Sequence, residues 1–242
     1  MGVTTYGENL IKVTSLGFVN SYLVRESDGL TLVDTGMFSA NAILSAAKAN
    51  GGEIKRIIIT HAHADHVGSL DALMKHIHGV EIITSAQSAR FMAGDMTLTT
   101  EQKGAEATGG KLRGSYQKVD AKPTSMVNHG DTIGSLEVHF SPGHTPDHIA
   151  LIDTRDKTLI AGDAYVVKGG IVVSGTLKWL FPFPALATWH KPTALKSAIY
   201  LRDLNPSRLA VGHGKVLENP VSQMTLAIAE AQSEVNVGAA IS

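Results

Sequence analysis

Residues 61–66 read His-Ala-His-Ala-Asp-His and follow directly on Arg56-Ile57-Ile58-Ile59-Thr60. The apolar run predicts a buried strand. Three imidazoles and a carboxylate therefore arrive together at its C-terminal end. A buried strand cannot accept four such heads unless each finds a partner, because an uncompensated polar group is costly to bury. A bound metal supplies that partner. His and Asp are ligands that a borderline divalent ion such as zinc takes. The place also fits layered α/β folds, which bind ligands at the C-terminal ends of strands. A solvated histidine-rich loop is the weaker reading, since tracts of this kind commonly bind metal.

His61 and His63 are two apart, so in an extended segment they point the same way. Asp65 and His66 follow in the turn before a helix. One ion cannot use all four side chains from so short a segment, which points to two ions. Three further strand ends each deliver a ligand-type residue beside a glycine. Ser141-Pro142-Gly143-His144-Thr145-Pro146 follows the strand expected over Leu136–Phe140. Leu159-Ile160-Ala161-Gly162-Asp163 ends on a carboxylate, and Leu209-Ala210-Val211-Gly212-His213-Gly214 on a histidine. Singly, each is more often structural. Together they ask for a shared site.

The series His61-x-His63-x-Asp65-His66, then His144, Asp163 and His213, resembles the metallo-β-lactamase-fold superfamily in order and context, over nearly the whole chain. The resemblance implies that His61, His63 and His144 hold a first metal. It implies that Asp65, His66 and His213 hold a second, with Asp163 bridging both. The set is complete, so a dead site is not expected. The implied cofactor is a pair of divalent ions, zinc first, with iron or manganese as alternatives.

A single domain over residues 1–242 is expected, and that length is ample for a large core. Net charge is −1 with dispersed Lys and Arg, which gives no electrostatic case for nucleic acid. Met1–Leu16 has neither the basic start nor the apolar core of a secretory signal. No run approaches the roughly 18–20 apolar residues of a membrane span. Cysteine is absent, so thiolate ligands and disulfides are excluded. Cytoplasmic residence and a small-molecule substrate are the expectations.

The chain reads as two related halves. Tyr22–Val24, a turn at Ser27-Asp28-Gly29 and Leu30–Asp34 form one hairpin ending on Asp. Ile149–Ile152, a turn at Arg155-Asp156-Lys157 and Thr158–Asp163 repeat the plan. A helix and a strand ending on His follow each hairpin. The inferred architecture is α/β, a four-layer αββα sandwich of two pseudo-symmetric halves with the metals where they meet. Asp34 then occupies the place of Asp163, but it is given a structural role in the Asp34-Thr35-Gly36 turn. Helices are expected from Ser39 to about Asn50, over 68–78, over Lys191–Leu204, and from Asn219-Pro220 to about Val235. Residues 94–118 read as a surface excursion.

Within 164–190, Trp179, Phe181, Phe183 and Trp189 form either a satellite core under a loop or a substrate wall or homodimer contact. His76, His78, His129 and His139 read as solvent-facing or locally hydrogen-bonded. His148 and His190 are candidates for supporting the ligands. Tyr165 matches only loosely the tyrosine that lactonases of the superfamily place behind the bridging Asp; a buried core tyrosine is the equal alternative.

Two adjacent ions would lower the pKa of a shared water, which attacks a carbonyl polarised by one of them. Asp65 or Asp163 would carry the proton to the leaving group, with Tyr165 donating to the oxyanion. A true β-lactamase is disfavoured: those enzymes are typically exported and lack the bridging Asp. Hydroxyacylglutathione hydrolases keep the ligand set, yet typically follow that Asp with a Gly-Cys-Gly-Arg-like segment, where this chain has Ala164-Tyr165-Val166-Val167-Lys168-Gly169-Gly170. The expectation is a dinuclear hydrolase of a lactone, ester or thioester, lactones ahead. The alternatives are a hydroxyacylglutathione-type thioesterase and an iron-dependent oxidoreductase on the same ligands.

Overall fold

The computed structural model describes residues 2–107, 110–178 and 182–241. The chain divides into two compact units, one of Met1–Met96 with Ser115–Asn128, the other of Thr97–Gly114 with His129–Ser242.

The first unit is built on a sheet of seven strands in chain order: β1 (Gly2–Tyr6), β2 (Leu10–Ser15), β3 (Val19–Glu26), β4 (Gly29–Val33), β5 (Ile54–Ile58), β6 (Glu81–Ser85) and β7 (Ser125–Val127). The first four form an antiparallel meander. The pairs from β4 to β7 are parallel, and parallel strands need a crossover. Helix α1 (Ala40–Ala49) supplies the one between β4 and β5, burying Ile43, Ala46 and Ala47. The short helices α2 (Ala64–Val67) and α3 (Leu70–Met74), with α4 (Ala86–Met92), fill the later connections. Leu32, Ile57, Ile58 and Ile59 are fully buried beneath them, each adding about 1.5–3 kcal/mol of transfer free energy.

In the second unit α5 (Thr100–Ala107) comes first. A six-stranded sheet follows, built from β8 (Thr132–Ile133), β9 (Leu136–Phe140), β10 (Ile149–Asp153), β11 (Thr158–Ile160), β14 (Arg208–Ala210) and β15 (Leu217–Glu218). Their order is β15-β14-β11-β10-β9-β8. A separate hairpin pairs β12 (Tyr165–Val167) with β13 (Ile171–Val173). Helices α6 (Phe183–Leu186), α7 (Lys191–Asp203) and α8 (Val221–Ile241) complete it. Ala198 and Leu201 of α7 and Met224 and Ile228 of α8 share a core with Leu159, Leu209 and Tyr165.

The repeated plan is present in both units. In the first, hairpin β3–β4 leads through α1 to the parallel neighbour β5. In the second, hairpin β10–β11 leads through α7 to the parallel neighbour β14. Two expectations change. The segment 68–78 is not one helix but α3 alone, with α2 ending before it. Gly68 marks the break: a Cβ there would lie 2.4 Å from Ala64 O. The excursion at 94–118 carries a helix, α5. Among the described residues no helix is long and apolar enough to cross a membrane.

Candidate metal centre

Strand β5 lies between two parallel neighbours, so its backbone is held on both sides. Beyond it, Ile59 N donates to Ile83 O at 2.9 Å and Thr84 Oγ1 donates to Ile59 O at 2.9 Å. The chain thus leaves the sheet in a fixed direction at Thr60. His61, His63 and His66 are all buried. The rings of His61 and His63 stand 4.8 Å apart, and those of His61 and His66 4.0 Å. Ligand atoms of His61 and His63, of His61 and His66, and of Asp65 and His66 lie within 4.8 Å of one another. His63 precedes α2 in extended conformation, and its ring packs edge-on against Tyr116 at 4.7 Å.

Asp34 organises this cluster, a role beyond the turn expected of it. Its Oδ1 accepts from Thr60 N at 2.8 Å. Its Oδ2 accepts from Thr60 Oγ1 at 2.8 Å and from His66 Nδ1 at 2.7 Å. A carboxylate only accepts, so His66 carries its proton on Nδ1. Thr60 spends its own proton on Asp34, so Thr60 Oγ1 accepts from His61 Nδ1, 3.1 Å away. One carboxylate therefore puts the protons of two imidazoles on Nδ1 and the lone pairs on Nε2, the form that binds metal. Asp34 sits at φ +57°, a left-handed conformation that Asp tolerates. The signal available in the sequence was its place in the repeat, level with Asp163.

In the second unit, His144, Asp163 and His213 are buried together. Asp163 Oδ2 lies 3.5 Å from His144 Nε2 and 3.1 Å from His213 Nε2. Two glycines make this approach possible. A Cβ on Gly143 would meet Ala194 N and Cα at 2.2 Å, so the loop carrying His144 packs directly on α7. A Cβ on Gly214 would lie 1.8 Å from Val167 O. His213 O accepts there from Val167 N at 2.9 Å. Thr188 Oγ1 lies 3.3 Å from His144 Nδ1, while Trp189 N donates to His144 O at 2.7 Å and His190 N to Gly143 O at 2.9 Å. His148 joins the set through the Asp163 amide, which donates to its Nε2 at 3.0 Å.

These donors fit a metal of the zinc, iron or manganese type. They are imidazole nitrogens and carboxylate oxygens, with no thiolate, and the rings of His61 and His66 are held in the metallable tautomer.

A family model described as "Metallo-beta-lactamase superfamily" matches residues 14–213. The chain belongs to that superfamily. Uncharacterized protein YobT of Bacillus subtilis (strain 168) is 43% identical over 215 residues, covering 88% of this chain and 91% of its own. Probable metallo-hydrolase YflN of the same organism is 28% identical over 218 residues, covering 84% and 81%. Among solved structures, TTHA1623 in a di-iron-bound form superposes with a TM-score of 0.63 at 23% identity, covering 87% of this chain and 94% of that one. The fold is that of the metallo-β-lactamase superfamily, shown by the family match and by likeness to the DIM-1 metallo-β-lactamase (TM-score 0.68 at 16% identity, covering 96% of this chain and 97% of that one), with mixed sheets and helices in each unit.

Against that family frame, Tyr165 is placed differently from the expected oxyanion donor. It is fully buried in β12, and its hydroxyl donates to Ala198 O in α7 at 2.6 Å. Burial pushes its phenol further above the ordinary tyrosine range. The hydroxyl is committed to the helix. Of the aromatic stretch, Trp179, Phe181 and the side chain of Phe183 lie outside the described residues; Trp189 is buried. His76 and His78 are exposed. His129 accepts from Phe140 N at 3.1 Å. His190 Nδ1 pairs with Thr193 Oγ1 at 2.7 Å, at the start of α7.

Proposed function

We propose that this chain is a dinuclear metal-dependent hydrolase of a small-molecule lactone, ester or thioester. In this reading His61, His63 and His144 hold one ion and Asp65, His66 and His213 the other, with Asp163 bridging. One observation carries it. Oδ2 of Asp163 is approached by His144 at 3.5 Å and by His213 at 3.1 Å, histidines assigned to different ions. A carboxylate so placed suits a bridge better than a single-ion ligand.

Ions bound there would lower the pKa of water toward about 7 and polarise the substrate carbonyl. The chain's own residues do the rest. Asp34 and Thr60 hold His61 and His66 in one tautomer. Asp163 is buried and serves as the bridge. Asp65, with 32% of its side chain exposed, is the carboxylate able to exchange protons with solvent and to pass one to the leaving group. Tyr165 is assigned a structural role, so lactones keep no lead over esters and thioesters. Family membership and the relative named as a probable metallo-hydrolase support hydrolysis.

The reading places the enzyme in the cytoplasm, acting on a small molecule. The net charge of −1 supports neither a nucleic-acid nor an anionic-membrane partner. A homodimer is compatible with it. The di-iron form of TTHA1623 is the reason to include iron beside zinc.

The test is a hydrolysis screen over lactones, esters, thioesters, phosphodiesters and β-lactams, using chain reconstituted with zinc, manganese or iron. Chelator-sensitive turnover of a lactone, ester or thioester is expected. Absence of turnover with every metal, or turnover indifferent to chelator, sinks the proposal.

A further inference from the structure

Asp163 is held by its main chain as well as by its carboxylate's neighbours. Its amide donates to His148 Nε2 at 3.0 Å. An amide nitrogen only donates, so Nε2 holds the lone pair and the neutral ring carries its proton on Nδ1. Nδ1 lies 2.8 Å from Ser141 Oγ, which accepts. Ser141 N in turn donates to His148 O at 3.0 Å. Ser141 and His148 are therefore joined twice, by main chain and by side chain. Together they close the base of the loop 142–147 that presents His144. On the far side of Asp163, Ser174 Oγ donates to Asp163 O. Ser141, His148 and Ser174 are all buried.

The geometry points to His148 as a positioning residue for the bridging carboxylate: its ring ties the Asp163 main chain to the base of the His144 loop. This rests on the metal reading above. Asp163 lies three residues beyond the end of β11 and follows Gly162 at φ +48°. Its amide has left the strand ladder and takes a side-chain acceptor. With both ring nitrogens engaged, His148 braces two ligands and is not itself one. Its edge spans the gap that separates Asp163 from the loop, so the approach of His144 Nε2 to Asp163 Oδ2 depends on that ring.

Two substitutions separate the ends of the ring. In His148→Gln, the side-chain oxygen reaches the place of Nε2 and still accepts from the Asp163 amide. In His148→Asn, the amide group reaches only the place of Nδ1, keeping Ser141 and abandoning Asp163. The experiment is a zinc titration of the metal-free full-length chain against a chromophoric chelator. Urea unfolding of the same metal-free proteins accompanies it. His148→Asn should bind zinc about 10–100-fold more weakly than wild type, as removal of partners behind metal ligands typically does. His148→Gln should restore most of the loss. A merely structural role predicts that affinity follows stability and that both variants move alike, and that result overturns the inference. If His148→Asn does not fold, Ser141→Ala frees the outer edge of the ring at little change in volume. About tenfold weaker zinc binding supports the clamp, and unchanged binding overturns it. A wild-type chain that takes up no zinc, manganese or iron overturns the metal reading itself. Tight binding by wild type and His148→Asn alike overturns only the role of His148.

Discussion

Replacing Asp34 by Asn should damage the metal centre while leaving the fold nearly intact. The substitution exchanges Oδ2, an acceptor, for an NH₂ donor. Oδ1 keeps the bond from Thr60 N, and Asn tolerates φ +57° as Asp does. The new donor faces His66 Nδ1 and Thr60 Oγ1, which lie 2.7 and 2.8 Å from Oδ2 in the wild type. His66 must then accept on Nδ1 and carry its proton on Nε2. Thr60, no longer donating to residue 34, turns its proton toward His61 Nδ1, 3.1 Å away. Both rings end in the tautomer that cannot offer Nε2 to an ion. Loss of one such partner typically costs 10–100-fold in metal affinity; with two ligands affected, about 100-fold is expected. The stability loss should be about 1 kcal/mol, the worth of one rearranged hydrogen bond. Asp34→Ala differs in kind. It strands Thr60 N–H and His66 Nδ1–H in a buried site at about 1–3 kcal/mol each, or about 2–6 kcal/mol together. Thr60→Val interrupts only the branch to His61 and should cost about tenfold in affinity. Zinc competition titration and urea unfolding read the two effects separately. An Asp34→Asn protein that binds zinc as tightly as wild type refutes the tautomer argument.

Other outcomes follow from the same geometry. Tyr165→Phe should lower stability by about 1 kcal/mol through the lost bond to Ala198 O and leave kcat unchanged. A fall of the roughly 10²–10³-fold expected of a lost oxyanion donor would return Tyr165 to the chemistry. Gly214→Ala drives a Cβ into Val167 O; unfolding should show a loss of about 1–3 kcal/mol, and zinc affinity should fall because His213 moves with its neighbour. His139 is buried against Tyr200, and burial lowers its pKa, opposed by Glu137 and assisted by His129 and Lys157. With a folded pKa below the unfolded one, its contribution to stability is full above about pH 6.5 and is lost as pH falls through the folded value. Urea midpoints of the metal-free protein should therefore drop from pH 7 to pH 5 more steeply in wild type than in His139→Leu. Equal slopes would count against a buried neutral His139.

The candidate ligands are legible in the sequence because they sit at punctuation points. An apolar run that stops at His61, and others that lead to Asp163 and His213, can be seen without coordinates, and the repeat of hairpin, helix and parallel strand follows from two such runs. Asp34 was visible in that repeat but its role was not. The left-handed turn swings its carboxylate to Thr60 and His66, and no spacing rule encodes a contact over 32 residues. Tyr165 was undecidable for a related reason: alternation along β12 does not say which partner a buried hydroxyl meets. Helix α5 is not legible from apolar periodicity, although its start carries a reciprocal cap. Thr99 N donates to Gln102 Oε1 at 2.9 Å and Gln102 N to Thr99 Oγ1 at 3.3 Å. Weak hydrophobic periodicity hid that pattern.

The number of ions the chain holds is the most direct test of a dinuclear centre. Elemental analysis of protein saturated with zinc, then freed of loose metal by dialysis, should give two ions per chain, because Asp163 is placed between histidines assigned to different ions. Asp163→Asn measured in parallel should fall below two. A wild-type value of one or none at saturation would contradict the dinuclear centre, and with it the reaction proposed for this enzyme.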